Sequence, residues 1–136
     1  MKLEIERWVP VNKGGHEYVY LFYYPAYRDL AFYNDVTQWP CKIGRSTIDP
    51  ITRISQQLNS SSPELPVIGA VFQCDDSQEL EATIHHYLKL HHRFFHHPFN
   101  QEWFNTNPDE IVSVVKTLAM EPDDVFQKGL EKLAEE

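Results

Sequence analysis

The sequence has little cysteine, no long apolar run and no excess of positive charge. Cys41 and Cys74 are its two cysteines and they form no CxxC pair, which excludes a disulfide framework. No stretch approaches the roughly 18 consecutive apolar residues that a membrane-spanning helix requires. The first seven residues carry charges where a secretory signal would be apolar. We therefore expect a soluble, cytoplasmic protein that does not contact membranes.

The formal net charge of −8 argues against a protein that coats nucleic acid without specificity. Neutralising many phosphates requires clustered lysine and arginine. The charges are, however, unevenly distributed along the chain. Residues 121–136 contain six acids and two bases, whereas residues 42–53 contain three bases and one acid. A locally basic site on an acidic protein is therefore compatible with the composition.

The hydrophobic pattern predicts three strands and several helices in one domain. Aromatic and β-branched side chains concentrate at residues 17–24, 39–44 and 67–73, which are predicted strands. Capping residues followed by proline or glutamate predict the starts of three helices, at Asp49-Pro50, Asp76-Ser77-Gln78-Glu79 and Asn107-Pro108. The expected fold class is α+β, a small three-stranded antiparallel sheet flanked by helices.

The chain is expected to divide into three parts. Residues 1–16 form an N-terminal extension, residues 17–120 form the domain, and residues 121–136 form an acidic C-terminal helix after Pro122. The two terminal segments are expected to serve a homo-oligomer contact or a protein partner.

Glu81 lies at the edge of the apolar face of the predicted helix 77–92. At about 100° per residue it falls about 20° from Leu88, which shares an arc with Leu80 and Ile84. Its carboxylate therefore points along the protein body. It is either a boundary side chain that pairs with a lysine, or a ligand for a hard divalent cation, which prefers carboxylate oxygen.

Three side chains in the predicted strands and first helix are further candidates for a site. Tyr20 is a core aromatic whose phenol needs a polar partner when buried. Lys42 is either an edge-strand lysine that opposes aggregation or an ammonium held by a specific partner. Arg53 lies away from the apolar face of its helix and is either solvated or binds a phosphate through its planar guanidinium.

Six histidines cluster in the second half of the chain. Zinc requires three or four ligands in tetrahedral geometry, and the histidine spacing matches no such pattern. Most of them are expected at the surface or in loop packing. His85 and His92 share the helix edge with Glu81 and are candidates for substrate contacts or an auxiliary base.

The order of these signals resembles the GIY-YIG nuclease superfamily, in its phage and bacterial branch where KIG replaces YIG. The matching pieces are Tyr18-Val19-Tyr20, Lys42-Ile43-Gly44, Arg53, Leu80-Glu81-Ala82 and Glu102-Trp103-Phe104. Tyr18 stands at a glycine position, and Lys42 replaces the second tyrosine. Gln57 stands where some members carry a histidine.

The resemblance implies a set of roles for this chain. It implies Mg²⁺ or Mn²⁺ on Glu81, with Tyr20, Lys42, Arg53 and His85 as the other catalytic residues. The expected substrate contacts are Gly44, Arg45, Ser46, His92 and Asn100. The Glu102-Trp103-Phe104 segment is expected to pack against the core.

The expected function is that of a metal-dependent endonuclease that hydrolyses DNA phosphodiester bonds, with RNA not excluded as a substrate. The alternative is a catalytically weak or inactive module that binds nucleic acid or a protein partner. The negative net charge and the missing second tyrosine favour this alternative. Nicking of supercoiled plasmid with Mg²⁺ or Mn²⁺ distinguishes the two.

Overall fold

A mixed β-sheet with helices on both faces forms the body of the protein. The computed structural model describes residues 2–58, 64–95 and 102–119, and the elements below lie within these ranges. In chain order they are β1 (Trp8–Pro10), β2 (Glu17–Tyr23), α1 (Pro25–Tyr33), β3 (Trp39–Ser46), α2 (Pro50–Gln57), β4 (Val67–Cys74), α3 (Ser77–Leu90), β5 (Trp103–Thr106) and α4 (Pro108–Leu118).

The strands lie in the order β1-β4-β2-β3-β5. Strand β1 runs parallel to β4, and the other neighbouring pairs are antiparallel. Strand β2 is central, so Tyr20 faces Gly44 of β3 on one side and Val71 of β4 on the other. This register places the middle of β2 beside the second half of β3.

The expectation of a small three-stranded antiparallel sheet is wrong, because the described sheet has five strands and is mixed. The three expected strands are its antiparallel centre, β4-β2-β3. The additional strands are the edges, and at three and four residues they are too short to show a period of two in the sequence. Helix α1 is a second difference, since it is not among the three helices whose starts the capping residues predict.

Strand β2 is buried on both faces. Val19, Leu21 and Tyr23 face a large core formed with α1, α3 and α4. Tyr20 and Phe22 face a smaller core that includes Ile54 of α2. The candidate site lies on the side of the smaller core.

The predicted helix caps are confirmed. The side chains of Asp49, Asp76 and Asn107 accept hydrogen bonds from backbone N–H groups three residues further on. Each side chain satisfies one of the donors that a helix start leaves unpaired. The caps of α2 and α3 thereby fix the first turns of the two helices that border the site.

The segment before residue 17, expected as an extension, contributes to the sheet. It supplies β1, a bridge between Ile5 and Ile68, and an ion pair between Arg7 and Asp109. The expected helix at 121–136 lies outside the described residues. Among the residues described, no helix is long and apolar enough to cross a bilayer.

Candidate active site

A polar cleft of about 530 Å³ opens where β2, β3, α2 and α3 meet. Six residues that the sequence singles out line it together: Tyr20, Lys42, Arg45, Ser46, Arg53 and Glu81. They come from four separate elements and are up to 61 positions apart in the chain, from Tyr20 to Glu81. The fold therefore assembles these side chains around one space.

A single amide side chain connects the tyrosine to the lysine. Gln57 Nε2 donates to the Tyr20 hydroxyl at 2.5 Å, and Lys42 Nζ donates to Gln57 Oε1. A lysine ammonium can only donate, so it fixes the amide with its oxygen toward Lys42 and its NH₂ toward Tyr20. Burial raises the pKa of Tyr20, an effect that the Gln57 hydrogen bond opposes. The phenol therefore stays protonated near neutral pH.

Gly44 makes room for that phenol. It lies opposite Tyr20 in the β2–β3 register, and a Cβ at this position would lie 2.6 Å from the Tyr20 ring carbon that bears the hydroxyl. Real Cβ atoms do not approach a ring that closely. Gly44 thus leaves the space that the Tyr20 phenol occupies, and it is not itself among the residues that line the cleft.

Glu81 lines the cleft, and one of its carboxylate oxygens has no hydrogen-bond partner within the described part of the chain. This atom, Oε2, is buried. Burial raises the pKa of Glu81, the negative charge of Glu102 adds to the effect, and Arg45 and Lys42 oppose it. Buried polar oxygens are almost always hydrogen-bonded in folded proteins. Glu81 is therefore a candidate to bind a ligand.

Neighbouring groups contact two of the three cations of the cleft, Lys42 and Arg45. Lys42 Nζ lies 3.8 Å from Glu102 Oε2, and burial lowers the pKa of Lys42 while Glu102 raises it. Arg45 donates to Ser77 Oγ at 3.3 Å. Arg53 is exposed at the rim. With three cations and two carboxylates the lining is locally basic, although the whole chain is acidic.

Ser46 lines the cleft but uses its hydroxyl locally. Its Oγ donates to the Ile48 carbonyl at 2.8 Å and accepts from the Ile48 N–H at 3.0 Å. The side chain therefore shapes the turn after β3, which carries Thr47 and Ile48 into the cleft wall.

A family model, the T5orf172 domain, matches residues 17–119. The chain belongs to the T5orf172 family. The T5orf172 domain is nuclease-like and associated with DNA binding. The assignment to the GIY-YIG superfamily is wrong, since no GIY-YIG family model matches. That assignment depended on pieces of three residues, which recur in many unrelated sheets and helices. No curated protein and no solved structure matches the chain.

None of the described histidines of this T5orf172 domain lines the cleft. His85 Nε2 lies 3.0 Å from the Ile43 carbonyl, and its ring packs against Phe104. Burial lowers the pKa of His85, which favours the neutral ring. His92 is exposed just after α3, with a positive φ of 56°. Asn100 lies outside the described residues.

No group of three or more His, Cys, Asp or Glu side chains that could hold a metal occurs among residues 2–58, 64–95 and 102–119. A closed zinc site of tetrahedral geometry is therefore not formed by these residues. The lining of the cleft offers two carboxylates, Glu81 and Glu102.

Sequence reasoning missed the parts played by Gln57 and Glu102. Gln57 was noted only as a position without histidine, and Glu102 only as part of a packing segment. Trp103 and Phe104 do pack against the two cores, but Glu102 lines the cleft. Gln57 follows Arg53 by four residues and so shares its helix face, a spacing that could have identified it.

Proposed function

We propose that this T5orf172 domain is an endonuclease that hydrolyses DNA phosphodiester bonds with a divalent metal ion, Mg²⁺ or Mn²⁺. The observation that carries the proposal is that Glu81 lines a cleft with Lys42, Arg45 and Arg53, and that its buried Oε2 has no hydrogen-bond partner among the described residues. Leaving such an oxygen unpaired costs free energy that a ligand would recover. The surrounding cations suit a phosphate group.

The donor set fits magnesium or manganese. Mg²⁺ is commonly held by one or two carboxylates, with waters and substrate phosphates as the other ligands. Glu81 would hold the ion, with Glu102 as the second carboxylate of the same cleft. When bound, such an ion polarises a phosphoryl oxygen and stabilises developing negative charge. This arrangement needs no cluster of three protein ligands.

The side chains of the cleft suit distinct tasks in hydrolysis. Gln57 donates to the Tyr20 oxygen, which leaves the phenolic hydrogen for an acceptor such as the attacking water or a phosphate oxygen. The raised pKa of Tyr20 supports orienting of the water rather than removal of its proton. Lys42 and Arg53 would offset charge that develops on the phosphate. Arg45 would bind a neighbouring phosphate.

The role of His85 as an auxiliary base stays a prediction, because its Nε2 already lies within hydrogen-bond distance of the Ile43 carbonyl. DNA is the proposed substrate, in keeping with the DNA-binding association of the family. RNA is the alternative substrate. A cytoplasmic location belongs to the same proposal.

A second candidate function is a catalytically inactive binding module. It is favoured by the contacts of Lys42, whose ammonium is engaged by both Gln57 and Glu102. A phosphate could be bound by the remaining cations, Arg45 and Arg53, without turnover. This module would bind nucleic acid or a protein partner through the same cleft.

Nicking of supercoiled plasmid tests the proposal. We expect nicking with Mg²⁺ or Mn²⁺, none in EDTA, and none by the Glu81→Gln variant with either metal. Thermal unfolding of the wild type should shift upward with Mn²⁺, and that of Glu81→Gln should not, because the metal binds only the folded protein. Specific binding without cleavage on any DNA or RNA would replace the enzyme by the binding module.

A further inference from the structure

A row of aromatic rings leads from the cleft along the same face of the sheet. Lys42 Nζ lies 5.8 Å from the centre of the Phe22 ring. The Phe22 and Trp103 rings pack edge to face, with their centres 5.8 Å apart. Lys42 is paired with Phe22 on one side and with Trp103 on the other. Cross-strand partners share a face. The rings therefore begin directly beside a cation of the cleft.

Four rings beyond Phe22 form a closed cluster, the aromatic platform, made of Tyr24, Tyr27, Phe95 and Trp103. Trp103 stacks on Tyr24, with the ring centres 6.2 Å apart and an angle of 11° between the ring planes. Tyr27 contacts Tyr24 and Phe95, and Phe95 contacts Trp103, with ring centres 6.3 to 6.5 Å apart. The rings come from three separate parts of the chain, so the fold gathers them.

The platform lies at the margin of the smaller core, and its rings are partly exposed. Phe22 is 2% exposed, whereas Tyr27 is 39% exposed and the other three rings are half-buried. Clustered aromatic surface in contact with water is unfavourable and commonly marks a binding site. Its position beside Lys42 connects it to a cleft that suits phosphate.

Building on the proposed function, we propose that the aromatic platform stacks the unpaired bases of single-stranded DNA whose backbone passes Lys42. Bases that are unpaired expose their faces and stack on aromatic side chains with little dependence on sequence. The bases of an intact duplex are already stacked on one another. Because the net charge is −8, stacking supplies affinity that phosphate neutralisation alone does not. The substrate class is DNA with a single-stranded segment.

Binding in EDTA separates this inference from cleavage. A fluorescent oligo-dT and a duplex of equal length are titrated with wild type, Tyr27→Ala and Tyr33→Ala. Tyr33 is the matched control, since it lies on the same helix, is 86% exposed and is not part of the platform. We expect preference for the single strand and, in Tyr27→Ala alone, binding weakened by roughly 5-fold to 100-fold.

A second measurement does not depend on a substitution in helix α1. Oligo-dT should quench tryptophan emission of the wild type, and Trp103→Phe should lose that quenching while circular dichroism stays unchanged. Unchanged binding by Tyr27→Ala, preference for duplex, or quenching retained in Trp103→Phe would overturn the platform. Tighter binding of an RNA oligonucleotide would overturn its assignment to DNA.

The two proposals fail differently. If no metal supports cleavage but Tyr27→Ala alone loses oligo-dT binding, the nuclease proposal is wrong and the platform stands. If plasmid is nicked and Tyr27→Ala binds and cleaves like the wild type, the platform is wrong and the nuclease proposal stands.

Discussion

Two half-buried glutamates on neighbouring helices differ in the hydrogen-bond partners of their carboxylates. Glu110 of α4 accepts from Arg93 at 2.8 Å, from the Thr106 hydroxyl at 2.6 Å and from the Tyr87 hydroxyl at 3.2 Å. Glu81 of α3 leaves Oε2 without a partner in the part of the chain that the structure describes. The first carboxylate joins α3, β5 and α4, and the second remains available to a ligand.

The difference follows from where the nearby donors are engaged. Around Glu110, donors from three segments converge on the carboxylate. Around Glu81, Lys42 is held by Gln57 and Glu102, and Arg45 by Ser77. The cations thus influence Glu81 through their charge without hydrogen-bonding to it. Burial alone does not distinguish the two carboxylates, whereas their hydrogen-bond partners do.

The largest expected effect separates the two glutamates directly. Glu81→Gln should reduce metal-dependent cleavage by roughly 10³-fold or more, since a bound metal contributes several kcal/mol to the transition state. Its free energy of unfolding should change by less than about 1 kcal/mol. Plasmid nicking and urea denaturation measure the two quantities.

Glu110→Gln is the matched variant and should behave in the opposite way. It weakens charge-assisted hydrogen bonds, so unfolding should become easier by roughly 1–3 kcal/mol. Cleavage per folded molecule should stay at the wild-type rate. Equal loss of cleavage in both variants would contradict the functional difference between the two carboxylates.

The next effect compares two tyrosines on opposite faces of β2. Tyr20 and Tyr23 are both 2% exposed, but the Tyr20 hydroxyl is in the cleft wall, whereas that of Tyr23 contacts Glu6 and Arg28. Tyr20→Phe should slow cleavage by roughly 10²-fold, because it removes the hydroxyl that orients the water. Tyr23→Phe should cleave normally. Single-turnover rates decide the point, and a Tyr20→Phe variant as fast as wild type would leave Tyr20 a packing residue.

A smaller effect is expected from the cations. Arg53→Ala and Lys42→Ala should each lower turnover by roughly 10-fold or more, with a smaller loss of DNA binding, because they act mainly on charge in the transition state. Lys116→Ala, exposed on α4, is the control on the other face of the sheet. Kinetics and anisotropy are measured on the same preparations. Proportional losses of binding and turnover would make these cations general phosphate contacts.

The smallest expected effect is on stability as a function of pH, without metal. Burial raises the pKa of Glu81 above 4.5, so its contribution to folding is present below pH 4.5 and lost as pH rises through the raised value. Glu81→Gln should therefore be more stable than wild type at pH 7, by less than about 1 kcal/mol. This difference in the free energy of unfolding between the variant and the wild type should disappear on acidification below pH 4.5. A constant gap in denaturation measured across this range would exclude titration of Glu81 as its cause.

Several features of the fold and the site were predictable from local pattern. The two faces of β2, the central strands β4-β2-β3 and the three helix caps follow from alternation and from capping residues. Tyr20, Lys42, Arg53 and Glu81 all line the cleft. The local pattern marked each of them as a candidate but did not predict that they lie together. The short edge strands and α1 were missed because three or four residues carry too little periodicity, and α1 lacks a capping side chain.

The sequence by itself determined which side chains alternate along the central strands β2, β3 and β4 and where α2, α3 and α4 begin, because these depend on near neighbours in the chain. Only the tertiary structure decided the partners of those side chains. Gln57 joins Tyr20 to Lys42, and Glu102 enters the cleft wall. Among the residues that the structure describes, Glu81 keeps an oxygen without a hydrogen-bond partner, whereas the Glu110 carboxylate accepts three hydrogen bonds. Such contacts join residues far apart in sequence, and their distances are set by the packing of sheet and helices.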